Sequence, residues 1–225
     1  MHLKRTSFNG NPNVGLYGVA TDDMLLIGKE VPEDKDGMLE EVLGLPVKRV
    51  SIAGTGLLGV FCLWHDGKLL VPGITFDHEL EDLEALGVAY EVIDTDLTCL
   101  GNNVLVGLKS ALAHPDFTDA ELSRLSDALG LPVERATIME VESVGAVGVT
   151  KAEKGLFHRD IPPEAIKDLE SQLGLDITQG TVNMGNPYVK SGVLVTNHGF
   201  IIGDASGGPE VRNADEALGF IGDGS

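Results

Sequence analysis

The sequence predicts a closed five-fold pseudosymmetric α/β propeller, built from five β-β-α-β repeats of about 44 residues. Three observations carry this. The fragment Leu43-Gly-Leu-Pro46 recurs as Leu86-Gly-Val-Ala89, Leu129-Gly-Leu-Pro132, Leu173-Gly-Leu-Asp176 and Leu218-Gly-Phe220, which places glycines at 44, 87, 130, 174 and 219. A second series, Gly15, Gly59, Asn103, Gly148 and Gly192, keeps the same interval. Finally, Leu3-Lys-Arg-Thr-Ser-Phe8 parallels Val47-Lys-Arg-Val-Ser-Ile52, so the N-terminal strand supplies the element that the fifth unit lacks and closes the ring. Self-similarity at such a period marks a repeat architecture, and closure removes the open sheet edges of a linear array. A two-helix solenoid unit is excluded by the β-rich stretches and hairpin glycines, and a WD-type blade by the helix in each unit. A single domain is expected over 1–225, with units at roughly 10–53, 54–95, 96–139, 140–183 and 184–225 plus 2–9.

Each unit opens with a β-prone stretch after the second mark: Val60 to Trp64, Val104 to Val106, Val193 to Val195. Gly-, Asp- or Asn-rich turns follow (Asp66-Gly67, Asn197-His-Gly199), which is hairpin chemistry, and then second strands such as Lys68 to Val71 and Gly199 to Ile202. A helix comes next. Thr118-Asp-Ala-Glu121 and Asn213-Ala-Asp-Glu216 read as N-caps with an acid three residues on. Leu122, Leu125 and Leu129 share one helical face, as do Ile166, Leu169 and Leu173. The recurring glycine is the helix stop. Last strands are expected from Val47 to Ala53, Val88 to Ile93, Val133 to Met139 and Ile177 to Val182.

Composition bounds the function. The 225 residues carry 16 Lys+Arg against 35 Asp+Glu, a formal charge of −19, which excludes binding free nucleic acid by phosphate neutralisation. No apolar run approaches the ~18 residues of a membrane span; the longest, Leu57 to Trp64, contains Gly59. Two cysteines, Cys62 and Cys99, make no disulfide framework, and the N-terminus has no long apolar signal region, so a cytoplasmic location is expected. Glycine, 29 of 225, is about twice its usual ~7 % share, which points to tight turns or close packing. The acidity fits either a hydrated surface suited to high internal salt or an acidic face for a basic partner, and composition leaves both open.

The chemical motifs are weak. Gly54-Thr-Gly56-Leu-Leu-Gly59 matches a dinucleotide fingerprint, but the expected continuation is a strand rather than the required helix. The histidines have no zinc-like spacing. Cys62 reads as a core residue. Cys99 could act as a nucleophile with His114 as base and Asp94 or Asp96 as orienter, yet nothing in the local sequence activates it. No catalytic, cofactor or metal-binding residue is expected. The inter-repeat junctions hold more interest: Phe8-Asn-Gly-Asn-Pro12, Ser51-Ile-Ala-Gly54, Leu100-Gly-Asn-Asn103, Glu142-Ser-Val-Gly145 and Thr181-Val-Asn-Met-Gly-Asn-Pro187. In a ring they share one face and would form a rim with many hydrogen-bonding groups and little charge. Turn chemistry alone accounts for Asn and Gly there; a docking face is the functional reading.

Ser7-Phe8, Ser51-Ile-Ala-Gly54, Leu69-Leu-Val-Pro72 followed by Thr75 and Glu79-Leu80, Leu100-Gly-Asn102, His114-Pro-Asp116 and Gly180-Thr-Val-Asn183 give the chain a resemblance, from about residue 3 to 221, to the translation initiation factor 6 family, the ribosome anti-association factors of archaea and eukaryotes. The short form resembles archaeal members, and its acidity those of halophiles. The resemblance implies the pentein fold and binding to the large (50S) ribosomal subunit on its intersubunit face, near ribosomal protein uL14 and the sarcin–ricin loop. It implies steric exclusion of the small subunit, a part in large-subunit biogenesis, a monomeric state, and no catalysis or cofactor. Motif matching places docking residues at Asn102 and Val60, with Asn9, Asn183 and Gly185 beside them. Val60 stands after Gly59 in place of a basic family residue, so its contribution would be apolar. Two alternatives remain: a guanidine-modifying pentein enzyme, disfavoured because its nucleophile belongs in the last repeat and no Cys follows residue 99, and an interaction ring with another partner.

Overall fold

Five three-stranded sheets stand as blades around a central channel in the computed structural model, which describes residues 1–221. Positions 222–225 of the expected fifth unit lie outside the described residues. The blades combine Gly18–Ala20, Leu25–Gly28 and Val47–Val50; Leu63–His65, Lys68–Pro72 and Tyr90–Ile93; Val104–Val106, Ala111–Ala113 and Val133–Arg135; Gly148–Lys151, Lys154–His158 and Asp176–Gly180; and Val193–Val195, Phe200–Gly203 and Leu3–Thr6. Each begins with an antiparallel hairpin (Gly18↔Ile27, Val193↔Ile202) and returns through a helix to a third strand parallel to the second (Leu25↔Val47). The fifth blade closes as expected, because the N-terminal strand pairs in parallel with Phe200–Gly203 in the register Leu3↔Phe200.

The helices Asp36–Leu43, Asp77–Ala85, Asp119–Leu129, Pro163–Leu173 and Gly208–Ala217 lie between second and third strands. Thr118 caps as expected: its hydroxyl accepts the Glu121 N–H while the Glu121 carboxylate accepts the Thr118 N–H. The Asn213 cap is corrected. That helix starts earlier, at Gly207-Gly208-Pro209, with Pro in the first turn and Glu210 taking the Gly207 N–H, and Asn213 sits mid-helix donating to the Gln179 carbonyl. Left-handed glycines end the chain's helical runs, with φ of 69° at Gly44, 65° at Gly130 and 73° at Gly174. Apolar residues of adjacent blades merge into shared clusters: Leu194 and Ile201 join Leu25, Ile27 and Leu39, while Leu26 joins Val50, Cys62 and Leu69.

Two further expectations change. The third strands are shorter than predicted, since residues such as Ile52 and Ile138 already belong to the following turn. The stretch from Val60 to Trp64 also divides: Leu58–Phe61 is one helical turn and only Leu63–His65 is strand. Equivalent turns, Val14–Leu16, Leu100–Asn103, Val144–Ala146 and Val189–Gly192, precede the other blades. They show that the true repeat mark is Gly15, Gly59, Gly101, Gly145 and Lys190, so Asn103, Gly148 and Gly192 in the predicted series are displaced. The reason is steric: a Cβ at Gly15, Gly59, Gly101 or Gly145 would collide with a carbonyl oxygen of the preceding turn, that of Lys190, Gly15, Gly59 or Gly101 respectively.

Removing residues 1–8 uncovers the Phe200–Gly203 edge and withdraws fully buried Phe8. The expected loss in urea unfolding is several kcal/mol, Phe8 alone accounting for roughly 3–5 kcal/mol. An unchanged midpoint would refute the closing pairing.

Candidate docking face

The five helical turns touch in cyclic order, that of Val189–Gly192 lying between those of Val144–Ala146 and Val14–Leu16. The residue after the repeat mark is Leu16, Val60, Asn102, Ala146 or Ser191, half-buried in every case. Val60 and Asn102 are thus brought to equivalent places on one inner ring. Asn103 turns inward to donate to the Leu97 carbonyl, whereas the Asn102 side-chain amide is free of hydrogen bonds among the described residues.

An outer ring of tight turns surrounds this one. Asn9-Gly10, Ala53-Gly54 and Met139-Glu140 are two-residue turns with both φ positive, closed by the bridges Phe8↔Asn11, Ile52↔Thr55 and Ile138↔Val141; Asn183-Met184-Gly185 is a three-residue version closed by Val182↔Asn186. Mirror-image turns of this kind favour Asn and Gly, which is why those residues punctuate the junctions. Asn9 is exposed and donates from Nδ2 to the Glu30 carbonyl at 2.9 Å. The Asn183 amide is already committed: its Nδ2 donates to the Pro12 carbonyl at 3.0 Å, and its backbone N–H to Ser206 Oγ at 2.9 Å. Asn183 therefore ties one junction to the next, while Gly185 is exposed with open space around it. The sequence reading missed Met184 between them, 84 % exposed; its only sequence signal is its position in an Asn-Met-Gly turn.

Glutamates at the third helical position lock the turns. Glu79 is fully buried and accepts the N–H groups of Ala53 (2.7 Å), Gly54 (2.9 Å) and Phe76 (3.0 Å). Glu210 accepts from Thr181 Oγ1 and the amides of Met184, Gly185 and Gly207. Burial pushes the Glu210 carboxyl up, but the Thr181 hydroxyl and those three amides together hold it below the ordinary carboxylate range. The Thr95 hydroxyl, ahead of those from Thr118, is the largest influence holding Glu121 low.

Charge divides the face. Residues 8–17 and 51–61 contain no side chain charged at neutral pH, and 181–192 contain only Lys190. Lys190 turns inward across the ring to the Gly101 carbonyl, with its stem lining the channel beside Leu63, Val149 and Val193. Burial draws its ammonium down from 10.5 to about 8. The other two junctions are acidic, with Asp94 and Asp96 in one and Glu140 and Glu142 in the other. These three segments thus carry no acid of their own on a strongly anionic molecule, and the carboxylates that reach them from other segments, Glu30, Glu79 and Glu210, accept from turn amides.

The nucleophilic alternative lacks its parts. Cys62 is buried, and burial pushes its thiol up, away from thiolate. Cys99 caps the turn Leu100–Asn103, but His114 is engaged elsewhere: Nδ1 accepts the Asp116 N–H at 3.2 Å and Nε2 lies 3.5 Å from Glu142. The glycine motif at 54–59 does lead into a helix, but one of only four residues, with Gly59 packed on the Gly15 carbonyl. Among the described residues no cluster of three or more His, Cys, Asp or Glu could hold a metal, and no helix is long and apolar enough to cross a membrane.

The model of the eIF-6 family matches residues 3–217. The chain belongs to the eIF-6 family. Among its relatives, translation initiation factor 6 of Thermococcus onnurineus is 36 % identical over 227 residues, covering 98 % of this chain and all of the relative. That of Saccharolobus islandicus is 31 % identical, covering 97 % of this chain and all of the relative. Two solved enzymes share the fold at low identity. The DDAH of Pseudomonas aeruginosa complexed with citrulline superposes with a TM-score of 0.52 at 14 % identity, covering 74 % of this chain and 67 % of its own. The N-terminal domain of ArgZ, an arginine dihydrolase from Cyanobacteria, gives 0.53 at 11 %, covering 80 % and 69 %. The five-blade ring of this eIF-6 family chain is the pentein fold.

Two measurements test the face's framework. Between pH 8 and 10.5 the unfolded chain holds a proton on Lys190 that the native chain has released, so stability gains a rising contribution with pH. Comparing melting temperatures across that window, wild type should rise relative to Lys190→Met; parallel profiles would contradict the buried ammonium. Glu79→Ala strands three turn and cap amides and should cost on the order of 3 kcal/mol in urea unfolding.

Proposed function

We propose that this protein docks through its turn face on the intersubunit face of the large ribosomal subunit, and by its bulk keeps the small subunit from joining. The observation that carries this reading is the arc formed by residues 8–17, 51–61 and 181–192, which holds no acidic residue on a chain of charge −19. A rim with many hydrogen-bonding groups and few charges suits a protein surface such as that of uL14, close to the sarcin–ricin loop. The anionic remainder is repelled by rRNA phosphates, which disfavours attachment elsewhere. In this arrangement Asn102 offers its free amide and Val60 an apolar contact on the inner ring. Asn9 and Gly185 mark the outer edge, and Asn183 holds two junctions in register. The relatives' name, translation initiation factor 6, supports a role in translation initiation. The same docking would serve large-subunit biogenesis in the cytoplasm. It requires one protomer and no catalytic step; the buried Cys62 and the engaged His114 agree with that.

Co-sedimentation with archaeal large subunits in high KCl, followed by addition of small subunits, tests the reading. Stoichiometric binding and loss of the joined particle are expected. Asn102→Arg and Asn102→Ala should weaken binding while leaving the melting temperature intact. Failure of the wild type to bind large subunits overturns the assignment; loss of the thermal transition in the variants would make Asn102 a structural residue.

A further inference from the structure

Lys190 carries a charge that its surroundings do not answer. It stands in the fifth helical turn, where the other four turns place glycine. Its side chain walls two neighbouring cavities of the central channel, of about 310 and 160 Å³, which also share Leu63, Trp64 and Val149. Neither cavity has an acidic residue on its walls. Among the described residues the ammonium makes no ion pair, and the Gly101 carbonyl is its one acceptor. An ammonium has three N–H groups to place, so two of them are left to whatever occupies the channel. Burial pulls the group toward its neutral form, and no carboxylate offsets that pull. A cation in an apolar enclosure costs free energy unless an anion pairs with it.

The walls of the larger cavity are mostly hydrocarbon and aromatic: Leu63, Val104, Val106, Val149 and Leu175, with half-buried Trp64 beside them. It is entered past His65, Leu108 and Ala152, at hairpin turns on the end of the ring opposite the docking face. At the docking end the helical turns close on one another, glycine against carbonyl. One placed charge in an apolar pocket of this size is the usual form of a small-molecule site. We infer that the channel binds a small amphipathic monocarboxylate, with its carboxylate on the Lys190 ammonium and its apolar body against Leu63, Trp64 and Val104. A neutral or cationic ligand would leave the ammonium unpaired, which selects the anion. The chain's charge of −19 opposes an anion only at long range, since salt at 0.15 M screens it beyond about 8 Å, whereas the ammonium acts at contact. Besides Lys190 the walls hold two titratable groups, His65 and the Cys62 thiol, which burial keeps protonated. The site lies away from the turn face and does not depend on ribosome docking.

Trp64 is the only tryptophan of the chain, so its fluorescence reports from inside the site. The full chain is titrated at constant ionic strength and pH 7 with hexanoate, 3-phenylpropanoate, hexanamide and acetate. Saturable changes are expected with the first two. Hexanamide and acetate should bind about tenfold or more weakly, the first for want of a charge-assisted hydrogen bond and the second for want of an apolar body. Because only the charged ammonium pairs with the ligand, affinity for hexanoate should fall about tenfold between pH 7 and pH 9. Lys190→Met should erase the preference for hexanoate over hexanamide; if that variant does not fold, Lys190→Gln is read the same way, and the pH series needs no variant. Absence of saturation by both carboxylates overturns the proposal. So does equal binding of hexanamide or acetate, an affinity unchanged between pH 7 and pH 9, or a preference that survives the loss of Lys190.

Discussion

The ring rests on backbone packed against backbone. Four of the five helical turns around the channel meet the preceding turn at a glycine, where a single methyl group would strike a carbonyl oxygen. That proximity sets the diameter of the ring and, through it, the angle at which each blade leaves the centre. At the fifth turn Lys190 replaces glycine, and its ammonium spans the ring to the Gly101 carbonyl, so the one place with a side chain spends it on closing the middle. The blades then seal against each other through shared apolar clusters, such as Leu194 and Ile201 with Leu25 and Leu39. Interiors packed this closely transmit displacement instead of absorbing it.

Such a centre makes the turn face a stiff object. Its outer turns are strapped from below by Glu79 and Glu210, and neighbouring junctions are stitched together by Asn183 reaching Pro12. A rim fixed in this way loses little conformational entropy on association, which is the main advantage of preorganised docking surfaces. Pseudosymmetry supplies five equivalent positions, and the side chains break it: three junctions hold no acidic residue of their own and two do. The scaffold is therefore five-fold, while recognition on it is one-sided.

Much of this was legible in the sequence because it follows from local chemistry. The helix-stopping glycines at 44, 130 and 174 sit in left-handed backbone, and the Leu3–Phe8 match to the 47–52 segment gave away the closing strand. What misled was the second series of marks. Gly148 and Gly192 hold the right interval, but the glycines that matter are constrained by a neighbouring turn distant in sequence, and no local pattern reveals that contact. Lys190 hid for the same reason, being a lysine where the repeat calls for glycine. The candidate residues divided along a similar line. Val60 and Asn102 fall on one ring by periodicity, whereas the engagement of Asn183 with Pro12 and Asn13 joins residues 171 and 170 positions apart in the chain.

The pairing of Leu3 with Phe200 has a consequence for the birth of the molecule. During synthesis the first strand emerges early and waits, unpaired, until its partner near residue 200 has been made. The first helical turn waits likewise for Lys190 and Val193 to pack on Gly15. Contacts of such long sequence separation form slowly, so the ring assembles as a late, all-or-none event. No nascent fragment short of the Phe200–Gly203 strand presents the finished face, and the chain acquires it only once that strand is available to pair.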